Sequence, residues 1–389
     1  MRAVEIFAGS GGLALGVSAA GFSHDAVIEF DKYACATIRA NQKRRIQPVV
    51  NWPLFEGDIS EFDFSSISEG LDLLCGGPPC QPFSLAGKSL GRLDNRDMFP
   101  EAVRAVRELR PRAFVFENVK GLLRTSHLTY VEYVRLQLTS PQLRRRHGEK
   151  WKEHRSRLER AFTKGSLNDQ TYRVIIHPVN ATDYGVPQHR NRVFIIGIRS
   201  DLEVEWSFPM PTHSREELLI SKFITKEYWE RHQISRKRRQ TISQSLRDRL
   251  RKLSTEGSEI RLDRWRTIRD AFADLPPPAK SERLESIANH RFIPGARPYA
   301  GHCGSEIDEP AKTLKAGDHG VPGGENMMIH RNGKVRYFTV REKARLQTFP
   351  DSIHFEGPWT ATTRQLGNAV PVLLSSVIAK SIRAALNKT

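Results

Sequence analysis

Short apolar runs, often β-branched, punctuate the first half of the chain, and between them lie longer stretches where apolar residues return every third or fourth position. The runs at 4–8, 26–30, 71–75, 113–117, 173–179 and 192–199 read as strands; several are apolar throughout, as in a sheet covered on both faces. The stretches at 13–20, 32–41, 98–109 and 130–138 read as helices, the last two with a single apolar stripe. Strand and helix in alternation predict an α/β fold with a doubly wound, mostly parallel sheet, whose ligands bind at the carboxyl ends of the strands.

From about residue 201 this rhythm gives way to a polar, Arg-rich stretch broken by Pro276, Pro277 and Pro278 and by a turn-rich segment at 317–324. Helical spacing returns at 339–347 and 368–386. The pattern divides the chain into a first domain over 1–200, a less regular second one over 201–336, and a C-terminal part over 337–389 whose apolar face docks back on the first. No uninterrupted apolar run approaches the roughly 18–20 residues that span a bilayer, so no membrane anchor is expected. The small-residue stretch after Arg2 has the outline of a secretory leader, but Glu5 interrupts it and Gly9, Gly11, Gly12 and Gly16 weaken a helix there.

Charge narrows the class of partner. Of 389 residues, 61 are Lys or Arg and 44 Asp or Glu, a surplus of 17 positive charges. A polyanion is the expected partner, nucleic acid ahead of an anionic membrane surface. A net +5 over 141–160 and a net +8 over 231–270 hold most of that surplus. Those segments read either as solvated helix faces or insertions, or as the flanks of a phosphate-lined groove. Cys35, Cys75, Cys80 and Cys303 show no metal-ligand spacing and no disulfide framework, which points to a reducing compartment, free thiols and no metal.

Candidate chemistry gathers at the strand ends. The first strand runs into Phe7-Ala8-Gly9-Ser10-Gly11-Gly12, a turn that lets backbone approach a ligand closely; alone it fits a structural or nicotinamide-binding turn equally well. Glu29 ends the second strand, about 20 residues after the turn, where an acidic side chain accepts from ribose hydroxyls. Asp58 reads as the end of a less clearly marked third strand, or as an N-cap or Asx-turn. The fourth strand leads into Gly76-Gly77-Pro78-Pro79-Cys80-Gln81-Pro82-Phe83-Ser84, where three prolines fix the backbone around one cysteine. Cys35, Cys75 and Cys303 read as small buried hydrophobes. Phe116-Glu117-Asn118-Val119 ends the fifth strand, and in Gln188-His189-Arg190-Asn191-Arg192 a period of two sends Arg190 and Arg192 to one side.

In this order the motifs resemble those of the DNA (cytosine-5) methyltransferases: FAGSGGLALG, Glu29, GDI, GGPPCQPFS, ENV, Gln-x-Arg-x-Arg, REKARLQTFPD and QLGNAVP, spanning Phe7 to Pro371. The resemblance implies a Rossmann-like catalytic and cofactor-binding domain with a smaller target-recognition domain. It also implies methyl transfer from S-adenosyl-L-methionine, leaving S-adenosyl-L-homocysteine, to C5 of a cytosine flipped out of double-stranded DNA. In that chemistry Cys80 attacks C6, Glu117 serves N3, Arg192 steadies the base carbonyl with Arg190 nearby, and Asn118 shapes the loop. Phe7, Gly9, Gly11, Glu29, Asp58, Ile59, Pro78, Asn368 and Val370 are implied to hold the cofactor. Gln81, Ser84, Lys312, Thr313, Lys315 and Arg331 are implied to meet DNA, since Thr313-Leu314 resembles a dipeptide of the family's recognition loops and Gly320, Gly323 and Gly324 follow it.

With no regulatory segment before Phe7, the resemblance points to a bacterial, cytoplasmic, monomeric enzyme of a restriction-modification system, its cognate endonuclease acting separately. A tRNA cytosine-5 methyltransferase and a non-catalytic DNA-binding relative are the competing readings. The long recognition region argues against the first, and Cys80, Glu117, Arg190 and Arg192 argue against the second.

Overall fold

The computed structural model describes residues 1–79, 97–164, 171–256, 262–281, 286–298, 303–317, 324–330 and 332–388. The chain divides into two compact units, one of Met1–Val179, Asn191–Pro209 and Ser375–Thr389, the other of Asn180–Arg190 and Met210–Leu374.

In the first unit the apolar runs form β1 (Arg2–Ile6), β2 (Ser23–Glu29), β3 (Leu54–Glu56), β4 (Leu73–Gly76), β5 (Ala113–Val119), β6 (Tyr172–Asn180) and β7 (Asn191–Arg199). They make one seven-stranded sheet in the order β3-β2-β1-β4-β5-β7-β6. β1 pairs in parallel with β2 and β4, and β4 with β5, while β7 runs antiparallel to β5 from Ala113↔Ile198 to Val119↔Arg192. The strand order reverses between β1 and β4, the crevice where ligands of open α/β sheets bind. Helices α1 (Gly12–Ala19), α2 (Lys32–Lys43), α3 (Phe99–Leu109), α4 (Leu128–Thr139) and α5 (Trp151–Thr163) complete the alternation. One face of the sheet packs Val4, Ile6, Ala26, Ile28, Leu74, Phe114 and Phe116 against α3 and α4.

The basic segment at 141–160 forms α5 and the turn before it, with most of its cations exposed. His154 and Leu158 of α5 are buried, Leu158 against Tyr133 and Leu136 of α4 and His154 between the Tyr133 hydroxyl (2.8 Å) and the Leu143 carbonyl (2.7 Å). Arg144, Arg145, Arg146, Lys150, Lys152 and Arg160 stay exposed.

In the second unit, α6 (Arg215–Phe223), α7 (Glu227–Arg231) and α8 (Gln244–Glu256) enclose Leu218, Phe223, Tyr228, Trp229 and Leu250, alongside the paired β8 (His213–Ser214) and β9 (Asp263–Arg264). A second cluster joins α9 (Ile268–Ala271), the three-stranded sheet of β10 (Ser305–Glu306), β11 (Met327–Ile329) and β12 (Val335–Tyr337), and α10 (Val340–Leu346) through Ile268, Leu314, Met328, Phe338 and Leu346. That cluster explains a difference from the sequence reading. Residues 337–374 group with the second unit because Phe338 and Leu346 are part of its core; only Ser375–Thr389 joins the first, and the boundary placed at 200 falls at Pro209.

The helix expected over 368–386 starts later, as α12 (Val372–Leu386), because Pro371 lacks an amide hydrogen and disfavours helix at the residue before it; α11 (Trp359–Asn368), which the sequence reading did not include, precedes it. Taken together, Trp359–Leu386 is one stretch among the described residues long and apolar enough to cross a membrane by length and composition, which uninterrupted runs did not reveal; 67% of its most apolar window is buried inside the chain. Within the second unit Lys343 is wholly buried, donating from Nζ to Thr363 Oγ1 and lying 4.7 Å from the Trp359 ring centre. Burial pulls its ammonium from 10.5 down to about 7. Between those values the unfolded chain binds the proton and the folded chain does not, so stability rises with pH from about 7 to 10.5. Lys343→Met is expected to remove that rise, as urea melts across the range would show.

Candidate active site

At the carboxyl end of β1 the chain turns through left-handed backbone at Phe7 (φ 56°), Gly9 (φ 56°) and Gly11 (φ 82°) before α1 begins. Phe7 has a side chain in a conformation that disfavours one, and such strain concentrates where backbone must meet a ligand. A Cβ on Gly11 would lie 2.6 Å from the buried Trp52 ring, whereas one on Gly9 would meet nothing within 4 Å. Gly11→Ala is therefore expected to cost about 1–3 kcal/mol in a denaturant melt, from its φ and from displacing Trp52.

Glu29 ends β2 directly across from this turn and is buried. One carboxylate oxygen accepts the Gly9 amide at 2.6 Å, and the other accepts those of Phe30 (3.0 Å) and Asp31 (2.7 Å). Burial pushes its carboxyl up while the three amides pull it down, with burial the larger. Glu29 thus clamps the glycine turn to β2, a role the sequence did not reveal. Two further neighbours escaped the sequence reading. Phe30 presents a ring that is 69% exposed, and the Oγ of Ser10 is buried without a hydrogen-bond partner among the described residues. An exposed aromatic after a strand end, and a serine inside a glycine turn, were the available signals.

Asp58 is exposed and lies beyond β3 rather than ending it. It caps a single helical turn, accepting from the Ser60 amide (2.8 Å) and hydroxyl (2.7 Å), bonds that lower its carboxyl from the usual range. The N-cap alternative therefore describes its observed contacts. Ile59 beside it is buried in the sheet core.

At the ends of β5 and β7, Glu117 Oε1 lies 2.6 Å from Arg192 Nε, with side chains only 9% and 11% exposed. Among the described residues Oε1 makes no aligned hydrogen bond, so its contact with Arg192 is primarily one of charge. Burial lowers the Arg192 guanidinium, and Glu117 counters it. A Cβ on Gly77 would lie 3.8 Å from Glu117 Oε2, and Asn118 Nδ2 donates to the Pro78 carbonyl at 3.1 Å. The chain leading to Cys80 is thereby held beside the Glu117–Arg192 pair. Cys80, Gln81 and Ser84 lie outside the described residues, as do Arg331, Gly320 and Gly323.

Arg190 and Arg192 have different partners. Arg190 belongs to the second unit, is wholly buried, and donates to the Gly367 (2.8 Å) and Leu314 (3.4 Å) carbonyls. β7 begins at Asn191, so Arg190 stands just before the strand and Arg192 within it. Gln188 works alongside, accepting the Leu314 amide at 2.9 Å and donating to Gln347 Oε1 at 3.2 Å. Thr313 donates its hydroxyl to the His189 carbonyl, and a Cβ on Gly367 would lie 2.4 Å from the Ala316 nitrogen. The Thr313-Leu314 segment is thus pinned to two motifs far away in sequence. Lys312 is exposed, and Lys315 pairs with Glu325 at 2.8 Å. Asn368 and Val370 also lie in the second unit. Cys303 is exposed, contrary to the buried default, while Cys35 and Cys75 follow it.

This architecture is that of a Rossmann-like methyltransferase. The structure of the S. pombe Dnmt2 methyltransferase aligns with a TM-score of 0.56 at 19% identity, covering 100% of this chain and 99% of that one. Type II methyltransferase M.PspPI of Psychrobacter sp. (strain TA137) is 33% identical over 387 residues, 99% of this chain and 79% of its own. Type II methyltransferase M.Eco47II of Escherichia coli is 31% identical over 389 residues, with shares of 99% and 79%. The chain belongs to the C-5 cytosine-specific DNA methylase family, which matches residues 1–140 and 150–384; the gap falls in the basic segment. It is a DNA (cytosine-5)-methyltransferase, and S-adenosylmethionine is the methyl donor its family implies. The open space at Gly9, the unpartnered Ser10 hydroxyl, the Glu29 carboxylate and the exposed Phe30 ring fit such a donor.

Proposed function

We propose that the enzyme methylates a cytosine turned out of a specific duplex DNA site, through a transient bond from Cys80 Sγ to C6. The observation that carries this reading is the buried Glu117–Arg192 pair beside the start of the Cys80 loop. Cytosine C5 is a poor nucleophile; adding a thiolate at C6 while N3 gains a proton makes it enamine-like. Glu117 in its acid form gives its proton to N3 and becomes a carboxylate, which Arg192 steadies together with the base carbonyl. Asn118, through Pro78, positions the loop that bears the thiol.

When bound, S-adenosylmethionine supplies an electrophilic methyl group on a sulfonium. Glu29 would accept from its ribose hydroxyls, Phe30 would offer a face to its adenine, and Phe7, Gly9, Gly11, Pro78, Asp58 and Ile59 would complete the site. After transfer to C5, loss of the C5 proton to a base expels the Cys80 thiolate and restores the aromatic ring.

Turning out the base costs a few kcal/mol, which phosphate contacts offset. The exposed cations of 144–160, with Lys312 and Lys315, supply such contacts. The names of the type II relatives favour DNA, and a separately acting restriction endonuclease, over an RNA substrate. Tritium from labelled donor is expected in duplex DNA and not in tRNA; labelling of tRNA alone would overturn the reading. Bisulfite sequencing of DNA from expressing cells would give the recognised site.

A further inference from the structure

Three side chains from the central strands meet on the sheet face opposite Val4, Ile6 and Leu74. Glu5 of β1 sits across from Cys75 of β4 in register, and His24 of β2 is across from Ala3, two residues along on the side of Glu5. Glu5 and Cys75 are wholly buried and His24 is 7% exposed. Cys75 Sγ is 3.4 Å from Glu5 Oε2, and His24 Nε2 is 3.7 Å from the same oxygen. All three potential ligand atoms lie within 4.8 Å of one another. Glu5 Oε1 and His24 Nε2 are nevertheless buried with no hydrogen-bond partner among the described residues.

A carboxylate, an imidazole and a thiol gathered in a dry core, two of them with unmet polar atoms, call for a charge to bind them. Ligands on a tetrahedral zinc ion, at about 2.0–2.3 Å from the metal, stand about 3.3–3.8 Å apart, and the two measured edges fall in that range. A mixed O, N and S donor set suits zinc better than calcium or magnesium, which prefer oxygen alone. The other imidazole nitrogen, Nδ1, lies 3.3 Å from Ser18 Oγ, which also receives the Trp52 indole N–H at 3.3 Å. An outer partner of this kind fixes the ring of a metal-bound histidine. We propose that Glu5, His24 and Cys75 form a structural site for zinc or a zinc-like divalent ion, stapling β1, β2 and β4 beneath the glycine turn. Burial and Glu5 hold the Cys75 thiol well above its ordinary range; a bound cation reverses that and takes it as thiolate.

The test is to express the full chain in cobalt-supplemented medium and read metal content and absorption. About one cobalt per chain is expected, with a thiolate-to-cobalt charge-transfer band and intense visible bands of tetrahedral coordination. Cys75→Ser is expected to remove the charge-transfer band, Cys303→Ser to leave it, and His24→Ala to bring metal content to background. Metal far below stoichiometric in the unaltered chain, cobalt without a thiolate band, or a band that survives Cys75→Ser would each overturn the proposal. The unaltered chain decides the matter even if a variant fails to fold, and no readout depends on methyl transfer.

Discussion

Cys80→Ala is expected to lower methyl transfer to duplex DNA by about 10⁴-fold or more while leaving DNA binding nearly intact. The size of the loss follows from what the thiol does: without a bond at C6 the ring has no means of placing electron density on C5. Neither buried cysteine can substitute. Burial and the neighbouring Glu29 push the Cys35 thiol up to about 12, and Cys75 is locked in the sheet. Tritium counting measures the loss, and a duplex with 5-fluorocytosine at the recognised site, supplied with donor, reports the adduct directly. The fluorine cannot leave as a proton does, so the unaltered chain should run as a protein–DNA band on a denaturing gel and Cys80→Ala should not. Transfer that persists in the variant, or a missing band with the unaltered chain, would refute the thiolate route.

Changes at the Glu117–Arg192 pair carry the second largest effects, and the two partners should fail differently. Glu117→Gln preserves shape and removes the transferable proton, so kcat is expected to fall about 10²–10³-fold with a smaller change in KM. Arg192→Ala leaves a carboxylate with little access to water and no cation, and a cost of about 3–5 kcal/mol in stability is expected in addition to lost activity. Thermal melts beside steady-state kinetics separate the cases. The double variant Glu117→Gln/Arg192→Ala should recover part of the stability that Arg192→Ala loses, because the amide carries no charge to strand. If Glu117→Gln kept full kcat, Glu117 would have no part in protonating N3.

The glycine turn is exacting in a related way. Its left-handed backbone, the Trp52 ring behind Gly11 and the Glu29 carboxylate behind Gly9 fix it from three sides before any ligand arrives. A turn already in its binding conformation avoids the ordering cost that a flexible loop would meet on capture.

Much of this was legible in the chain. Apolar runs gave the strands of the main sheet to within a few residues, since strands buried on both faces leave little freedom of composition. The ordered motifs identified the family, because a set of several motifs in one order along a chain does not arise by chance. Local reasoning failed where a long-range partner decided the outcome. Arg190 and Arg192 are two residues apart, yet one braces the Leu314 and Gly367 carbonyls and the other pairs with Glu117. Glu29 was read as a ligand acceptor and also proves to be the clamp on Gly9.

By itself the sequence determined the fold class and the reaction family, because hydrophobic period and motif order are properties of neighbours along the chain. Only the tertiary structure decided which buried polar groups face each other: Glu117 with Arg192, Glu5 with His24 and Cys75. Those encounters depend on strand order and register, which bring together residues that no spacing along the chain relates.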